Sequence, residues 1–571
     1  MNRKKGRKHT ALFLFFLAFA VNILIKYILF PSLTIKPEVF AESGTNFFIN
    51  GYYNNIWTNI ITVDAGYLPW MQRIIAVFAT KVIQDIALYP YITQWSAILF
   101  ISLFSSIIVL PVFRRLIPFD SVRFLLAIGI SMISDYELNS FINFVYFGSI
   151  FTFLMIFVNK EKMKSIYILL LALLTGIIFC SKGVFIIFLP VYFCILIYYV
   201  LKKEYRSAMY YSISIFFGAI QVLTMISNAT SSQSQPHGLF TIVLYVLKTF
   251  YYLLLTYRHI LIGSFTTDKG YLLGMIFVVI ILFFGIKKIW NKKNNYLLTF
   301  ILIGNILAFG SLFLTVVLVR SNTSVFTSPT SRSLSAQKSV SLPNSKTQNQ
   351  QFTLQIDKSV FFVKHFANLR NMFVSNVIIF LVAVVIILTL FDKKSHQLLV
   401  LGIIIYASGA FGQFSVEEPY RQQSQSFSQW QTYVALLKRP NYCVPLNHYP
   451  FIISKNCNYL FPLDPEKYIP SSKTVNQINL IKIDSKAKDW KIESVVIVNN
   501  NKQFTDKNTM LYAYDENGEI LTKTKQLTPS DYNYVYFLFD IPRSGVSRLI
   551  WKDSNNKTIM VSPNILVFGT R

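Results

Sequence analysis

The sequence predicts an α-helical polytopic membrane protein of about eleven transmembrane helices with a C-terminal extracytoplasmic β-rich domain. Three observations carry that expectation. Of 571 residues, 53% are hydrophobic and only 14% are charged, far from the balance of a soluble domain. Apolar stretches of about 18 to 25 residues recur, the length that crosses a hydrocarbon layer of ~30 Å. Most of them are closed by Lys or Arg, the pattern that fixes orientation in a membrane. The formal charge of +28 therefore does not point to nucleic acid, because the bases lie mainly in short clusters between spans and not on one continuous face.

The basic start, Arg3 to Lys8, followed by an apolar run to Phe30, reads as an uncleaved first span (about 10–31) beginning in the cytoplasm. The next residues, about 45–90, are aromatic and amphipathic but broken at Asn50-Gly51, Asn54-Asn55, Gly66 and Pro69. Such breaks predict short helices lying at the outer interface. Spans follow at about 91–112, 119–134 and 141–158, turning at Arg114-Arg115 inside, at Asp135 to Asn139 outside and at Lys160 inside. A hairpin of spans turns outside at Ser181-Lys182-Gly183 and returns to Lys202-Lys203. Span 208–227 leads out to His237, and Leu239 to Ile262 reads as a second amphipathic stretch at the outer interface. Spans at 271–287 and 296–318 enclose Lys287-Lys288, and spans at 374–391 and 397–414 enclose Lys393-Lys394. Between these pairs, 320–370 is a long polar outer loop rich in Ser, Thr, Asn and Gln.

Residues 1–415 thus form the transmembrane domain, and 416–571 form an outer domain. In the latter, runs such as Ser494 to Val498, Tyr534 to Phe539 and Arg548 to Trp551, separated by turn residues, suggest a β-sandwich. Cys180 and Cys194 lie in apolar spans, whereas Cys443 and Cys457 fall in the outer domain, where a disulfide is permitted.

Candidate chemistry gathers in the outer loops. The first carries Glu38, Glu42 and Asp64 and the second Asp135 and Glu137; Glu42, Asp64, Asp135 and Glu137 are the candidates, since an ionisable group at that depth is a functional-site candidate. A carboxylate there can act as general base on a sugar hydroxyl, or can hold a divalent cation such as Mg or Mn against a phosphate leaving group. Arg370, before the 374–391 span, and Arg73 are placed to receive a lipid-linked phosphate on a guanidinium fork. Lys182 and His237, at outer span ends, are further substrate-binding candidates. No Walker loop, zinc spacing, hydrolase elbow or dinucleotide fingerprint is present.

The order of these features resembles the GT-C class of polyprenyl-phosphate-sugar-dependent glycosyltransferases. Asp64-Ala65-Gly66-Tyr67-Leu68-Pro69-Trp70-Met71-Gln72-Arg73-Ile74-Ile75-Ala76 is similar to an aGYl…pRl.A motif of multi-spanning bacterial cell-surface polysaccharide glycosyltransferases. Glu137-Leu138-Asn139 with Asn143 resembles their fEL..N..N segment, and Arg370-Asn371-Met372-Phe373 their RYF segment ahead of a late span.

The resemblance covers roughly residues 10–415. It implies inverting transfer of a sugar from undecaprenyl phosphate to a cell-wall or surface polysaccharide, at the outer face of the bacterial cell membrane. Glu42 takes the place of the first-loop base, with Asp64 and Glu137 as further catalytic acids. Asn139 and Asn143 would contact substrate, and Arg370 would bind phosphate. Where the family pairs two acids, this chain has Glu42 followed by Ser43, and Asn371 replaces the aromatic after Arg370. Two other readings stay open: a lipid-linked saccharide flippase, which needs charges distributed along the spans, and a non-catalytic scaffold with an outer binding domain.

Overall fold

The protein is described from a computed structural model. It covers residues 2–35, 37–39, 42–133, 137–228, 239–262, 271–318, 372–408, 430, 434, 437, 442–445, 452–455, 457–460, 483–484, 491–498, 508–525, 534–542, 545–561 and 566–570. Among them, six helices are long and apolar enough to cross a membrane: Thr10–Leu29, Ile86–Val109, Gly183–Leu201, Tyr205–Ser227, Gly274–Asn291 and Asn295–Thr315. Four further apolar helices, Phe144–Met155, Ser165–Phe179, Phe373–Leu388 and Lys394–Ala407, are shorter.

One stretch differs from the sequence expectation. The segment 141–158 starts in turns, tightens to a 3-10 helix at Phe144–Phe147 and is α-helical only over Gly148–Met155. At about 1.5 Å per residue the whole helical piece reaches ~18 Å, short of the ~30 Å of a hydrocarbon layer. Leu239–Ile262, expected as an amphipathic stretch, is one unbroken helix of 24 residues.

The chain divides into two compact units, and not in sequence order. One comprises Met1–Asn22, Ile101–Leu138 and Tyr146–Ser415; the other comprises Ile23–Phe100, Asn139–Val145 and Val416–Arg571.

The first unit is helical. Its helix Phe373–Leu388 is apolar all round, and all 16 of its residues are buried, as an all-round apolar sequence requires. Small residues let neighbouring helices approach closely. A Cβ on Gly218 would stand 2.2 Å from Leu189 Cδ2, and one on Gly176 would stand 2.3 Å from the Phe217 ring. Arg123, wholly buried on the helix Asp120–Met132, is satisfied internally. It donates to the carbonyls of Val109 and Ile117 and to Asp120, whose carboxylate also takes a two-pronged bond from Arg114 at 3.0 and 2.7 Å.

Lys160 closes the end of the helix Gly148–Met155. Its Nζ donates to the carbonyls of Met155 (2.6 Å) and Val158 (3.2 Å) and to the Tyr211 hydroxyl (3.3 Å). It also lies over the rings of Tyr210 and Tyr211, 4.3 and 4.7 Å from their centroids. Burial lowers its pKa to about 7.

The second unit opens with short helical pieces. Ser43–Phe48 is π-helical, followed by α-helices Ile49–Tyr53, Ile56–Ile61 and Trp70–Val77, a π-helical Phe78–Ile83 and a 3-10 turn Ile86–Leu88. Asn55 starts the second of these α-helices by accepting from the Thr58 N–H at 2.7 Å.

The C-terminal residues of this unit form eleven strands among the described residues. In chain order they are β1 (Tyr442–Pro445), β2 (Ile452–Lys455), β3 (Cys457–Leu460), β4 (Ile483–Asp484), β5 (Lys491–Val498) and β6 (Met510–Tyr514). Then come β7 (Ile520–Lys525), β8 (Tyr534–Pro542), β9 (Arg548–Lys552), β10 (Thr558–Val561) and β11 (Leu566–Thr570). They make sheets ordered β1-β2, β10-β9-β6-β7 and β4-β3-β11-β5-β8. Trp551 of β9 is fully buried and meets Phe537 of β8 edge-on, 6.3 Å between centroids. Cys443 and Cys457 sit on β1 and β3, of different sheets; their side chains lie outside the described set.

A residue far along the chain closes the packing of the first loop. Trp430 is 2% exposed. Its indole N–H donates to the Ile86 carbonyl at 2.8 Å, its backbone N–H donates to the Glu38 carboxylate, and its ring stands edge-on to Phe48.

Candidate functional site in the first outer loop

The helical piece that begins at Ser43 carries Asn46 and Asn50, four residues apart and therefore on one face, and Asn54 follows at its C-terminal end. Their side chains form a relay. Asn54 Nδ2 donates to Asn50 Oδ1 at 3.1 Å, Asn50 Nδ2 donates to the Asn46 carbonyl at 2.6 Å, and Asn46 Nδ2 donates to Asp64 Oδ1 at 2.9 Å.

Asp64 is presented by a tight turn. The N–H of each of Asp64 and Tyr67 donates to the other's carbonyl, at 2.8 and 3.1 Å. The two residues between have positive φ, 49° at Ala65 and 84° at Gly66. Glycine adopts that conformation freely, while alanine adopts it at a cost. The turn therefore fixes the direction of Asp64 at the expense of strain at Ala65.

Arg73, on the helix Trp70–Val77, faces the same relay from below. It is 1% exposed. Its Nη1 donates to the Asn46 carbonyl at 2.5 Å and to Asn59 Oδ1 at 3.3 Å, and its guanidinium lies 4.9 Å from the centre of the Phe47 ring. Burial pulls the guanidinium below its ordinary pKa, and the nearby Asp64 carboxylate acts against that shift. Cation and carboxylate are thus joined through one asparagine, whose carbonyl serves Arg73 and whose amide serves Asp64.

The segment 139–145 packs on this loop. Gln72 Nε2 donates to the Ile142 carbonyl at 3.0 Å, and Gln94 holds the segment at two points, donating to the Asn139 carbonyl (2.6 Å) and accepting from the Phe141 N–H (3.0 Å). Phe141 also meets Phe47 edge-on.

Several sequence candidates are accounted for. Asp64 and Arg73 are brought together. Glu42 is half-buried at the start of the helical piece that carries Asn46, one turn before it. Asn139 and Asn143 are buried in the segment held by Gln72 and Gln94. Glu137 and Lys182 belong to the other unit, where Lys182 lies over the Tyr146 ring at 5.4 Å. Asp135, His237 and Arg370 lie outside the described residues. Arg73, expected to reach out to a phosphate, is instead enclosed by protein acceptors and an aromatic face.

Asn46, Asn50, Asn54, Asn59, Gln72 and Gln94 were not singled out from the sequence. The four-residue spacing of the first three was visible there, but a polar stripe on a short helix reads equally well as a solvated face. Comparison with known proteins adds no precedent. No family model, no curated protein and no solved structure matches this chain. Among the described residues, no three His, Cys, Asp or Glu side chains gather closely enough to hold a metal ion.

Proposed function

We propose that the chain is a bacterial cell-membrane glycosyltransferase of GT-C type with about eleven spans, moving a sugar from undecaprenyl phosphate to a cell-wall or surface polysaccharide on the outer face. What carries this reading is the Asp64–Asn46–Arg73 relay in the loop that follows the membrane-length helix Thr10–Leu29 in sequence. Asp64 accepts one hydrogen bond from Asn46, and its second oxygen accepts none from a described residue, which suits it to take a proton.

In this mechanism the acceptor hydroxyl oxygen attacks the anomeric carbon as its proton passes to the Asp64 carboxylate. The bond from that carbon to the phosphate oxygen breaks, and the electron pair leaves with the phosphate. Glu42, one turn from Asn46, orients the acceptor. Arg73 is buried and acts as a positioning residue; reception of the phosphate falls to Arg370. The donor carries its energy in the sugar–phosphate bond, so no nucleotide site is needed, in keeping with the missing nucleotide motifs.

The test is a strain in which Asp64→Asn replaces the native protein, scored for surface-glycan composition and for sugar transfer in membranes. Transfer should fall by ~100-fold or more, the scale of a lost general base, with the protein still inserted and its melting temperature within about 2 °C of native. Unaltered glycan, both in that strain and in one lacking the protein, would refute the reading and favour the scaffold.

A further inference from the structure

The four-stranded sheet β10-β9-β6-β7 has two faces of opposite chemistry. Alternation along β6 and β9 sends Leu511, Ala513, Leu549 and Trp551 inward, all wholly buried. The cross-strand register sets Tyr512 beside Lys523 and Ile550, Tyr514 beside Arg548, and Met510 beside Lys525 and Lys552, so these residues share the opposite face.

That face is basic and aromatic. None of the four strands contains an acidic residue, and their four bases, Lys523, Lys525, Arg548 and Lys552, all fall on it. The Lys552 ammonium stands 4.7 Å from the centre of the Tyr512 ring, and the Arg548 guanidinium stands 5.1 Å from that of Tyr514. The two rings are 6.3 Å apart along the central strand. Among the described residues, the turns that join these strands carry acids. There Asp515 accepts from the Glu519 N–H, and Asp553 accepts from the N–H groups of Asn555 and Lys557; Glu516 and Glu519 are exposed in the β6–β7 turn.

We propose that this face binds an anionic glycan, a saccharide chain bearing carboxylate or phosphodiester groups. Adjacent strands lie ~4.8 Å apart and same-face residues ~7 Å apart along a strand. A chain lying along β6 would therefore meet cations on both flanks, held in place by the rings of Tyr512 and Tyr514 that they cover. Exposed charges of one sign steer and hold an anionic polymer. The rings are recessed: Tyr514 is 8% exposed and Tyr512 is half-buried. A surface that inserts into lipid presents protruding aromatics instead, so a polymer fits this face better than a bilayer. The outward placement of the domain rests on the topology proposed above, and the binding chemistry does not.

The experiment uses the full chain in nanodiscs of zwitterionic lipid. Binding is measured to polygalacturonate and to poly(glycerol phosphate), with neutral dextran as control. One or both anionic polymers should bind, more weakly as salt is raised, and dextran should bind at least about tenfold more weakly. Replacing all four bases by Gln (K523Q, K525Q, R548Q, K552Q) should weaken binding at least about fivefold, the low end for four exposed ionic contacts. The pair K523Q and K525Q, both on exposed positions of the edge strand, should weaken it in the same direction with the melting temperature unchanged.

Affinity unaffected by either set would overturn the proposal. So would binding to phosphatidylglycerol vesicles or single-stranded DNA, but to neither glycan, that is lost in these variants. Glycan binding is read without any sugar transfer. Native binding in a protein with no transferase activity would sink the proposed reaction and leave this surface standing.

Discussion

Replacing Arg73 tests the relay most directly, because its two obvious substitutions should rank opposite to chemical similarity. In Arg73→Met the buried charge and its desolvation cost disappear together. The Asn46 carbonyl keeps its bond from Asn50, while Asn59 Oδ1 loses its donor, at ~1–3 kcal/mol for an unsatisfied buried acceptor. Loss of the contact over Phe47 adds ~0.5–2 kcal/mol, so Met should cost roughly 2–4 kcal/mol in all.

Arg73→Lys keeps the charge but ends one bond short of Nη1, the atom that makes both hydrogen bonds. A compact, strongly hydrated ammonium cannot replace the guanidinium against both Asn46 and Asn59, and an incompletely paired buried charge costs ~3–5 kcal/mol. Thermal unfolding in detergent micelles, followed by intrinsic tryptophan fluorescence, should therefore rank native above Met above Lys, with Met lower than native by about 3–8 °C. Sugar transfer should fall in both variants, since Asp64 loses the support that Arg73 gives Asn46. A Lys variant as stable as the native protein would refute the claim that the guanidinium is enclosed and shared between two acceptors.

Two further outcomes follow from buried groups elsewhere. Burial holds Lys160 near pH 7 against an ordinary 10.5. Between those values the unfolded chain binds the extra proton, and stability should rise with pH; below about 7 both states are charged and the slope vanishes. The melting temperature should climb from pH 7 to 9 in the native protein and stay flatter in Lys160→Met, whereas equal slopes would count against a lysine whose pKa is lowered by burial. Trp430→Ala removes a side chain packed on Phe48 and bonded to the Ile86 carbonyl, at ~3–5 kcal/mol. Limited proteolysis should then cut the chain after residue 415 faster than in the native protein, and an unchanged digestion rate would show that the tryptophan anchors nothing.

What the sequence made legible was local. Apolar runs of membrane length are a composition signal, and each lies within one stretch of chain. The breaks in the first loop also have local causes: Asn55 caps the helix it precedes, and Gly66 takes a backbone angle that other residues resist. The β-patterned runs near Ser494, Tyr534 and Arg548 fall inside β5, β8 and β9 because alternation is likewise a property of neighbours.

The contacts that build the site are not local. Arg73 reaches back 27 residues to Asn46, Gln72 reaches 70 forward to Ile142, and Trp430 bonds Glu38 across 392. No periodicity encodes such pairings. An arginine at the edge of an apolar stretch looks the same whether it extends to a headgroup or folds under its own loop. Only the presence of Asn46, Asn59 and Phe47 around it decides between the two.

That enclosure also accounts for the indirect link between the two charges. Had Arg73 met Asp64 directly, the ion pair would have occupied the carboxylate and held it ionised, leaving a poor proton acceptor. Among the described residues no cation comes within 4.0 Å of Asp64. Asn46 instead fixes one oxygen with a neutral donor and leaves the other open, while the positive charge acts on the carboxylate from behind a side chain. An acid that must be aimed without being neutralised needs an intermediary of this kind, and an amide, which donates on one side while its backbone accepts on the other, supplies both bonds from a single residue. Asn46→Asp would replace the donor with a second anion, and Asn46→Leu would remove it. Both should misdirect Asp64 with Arg73 still in place and lower sugar transfer, and transfer at the native rate in either would count against the relay.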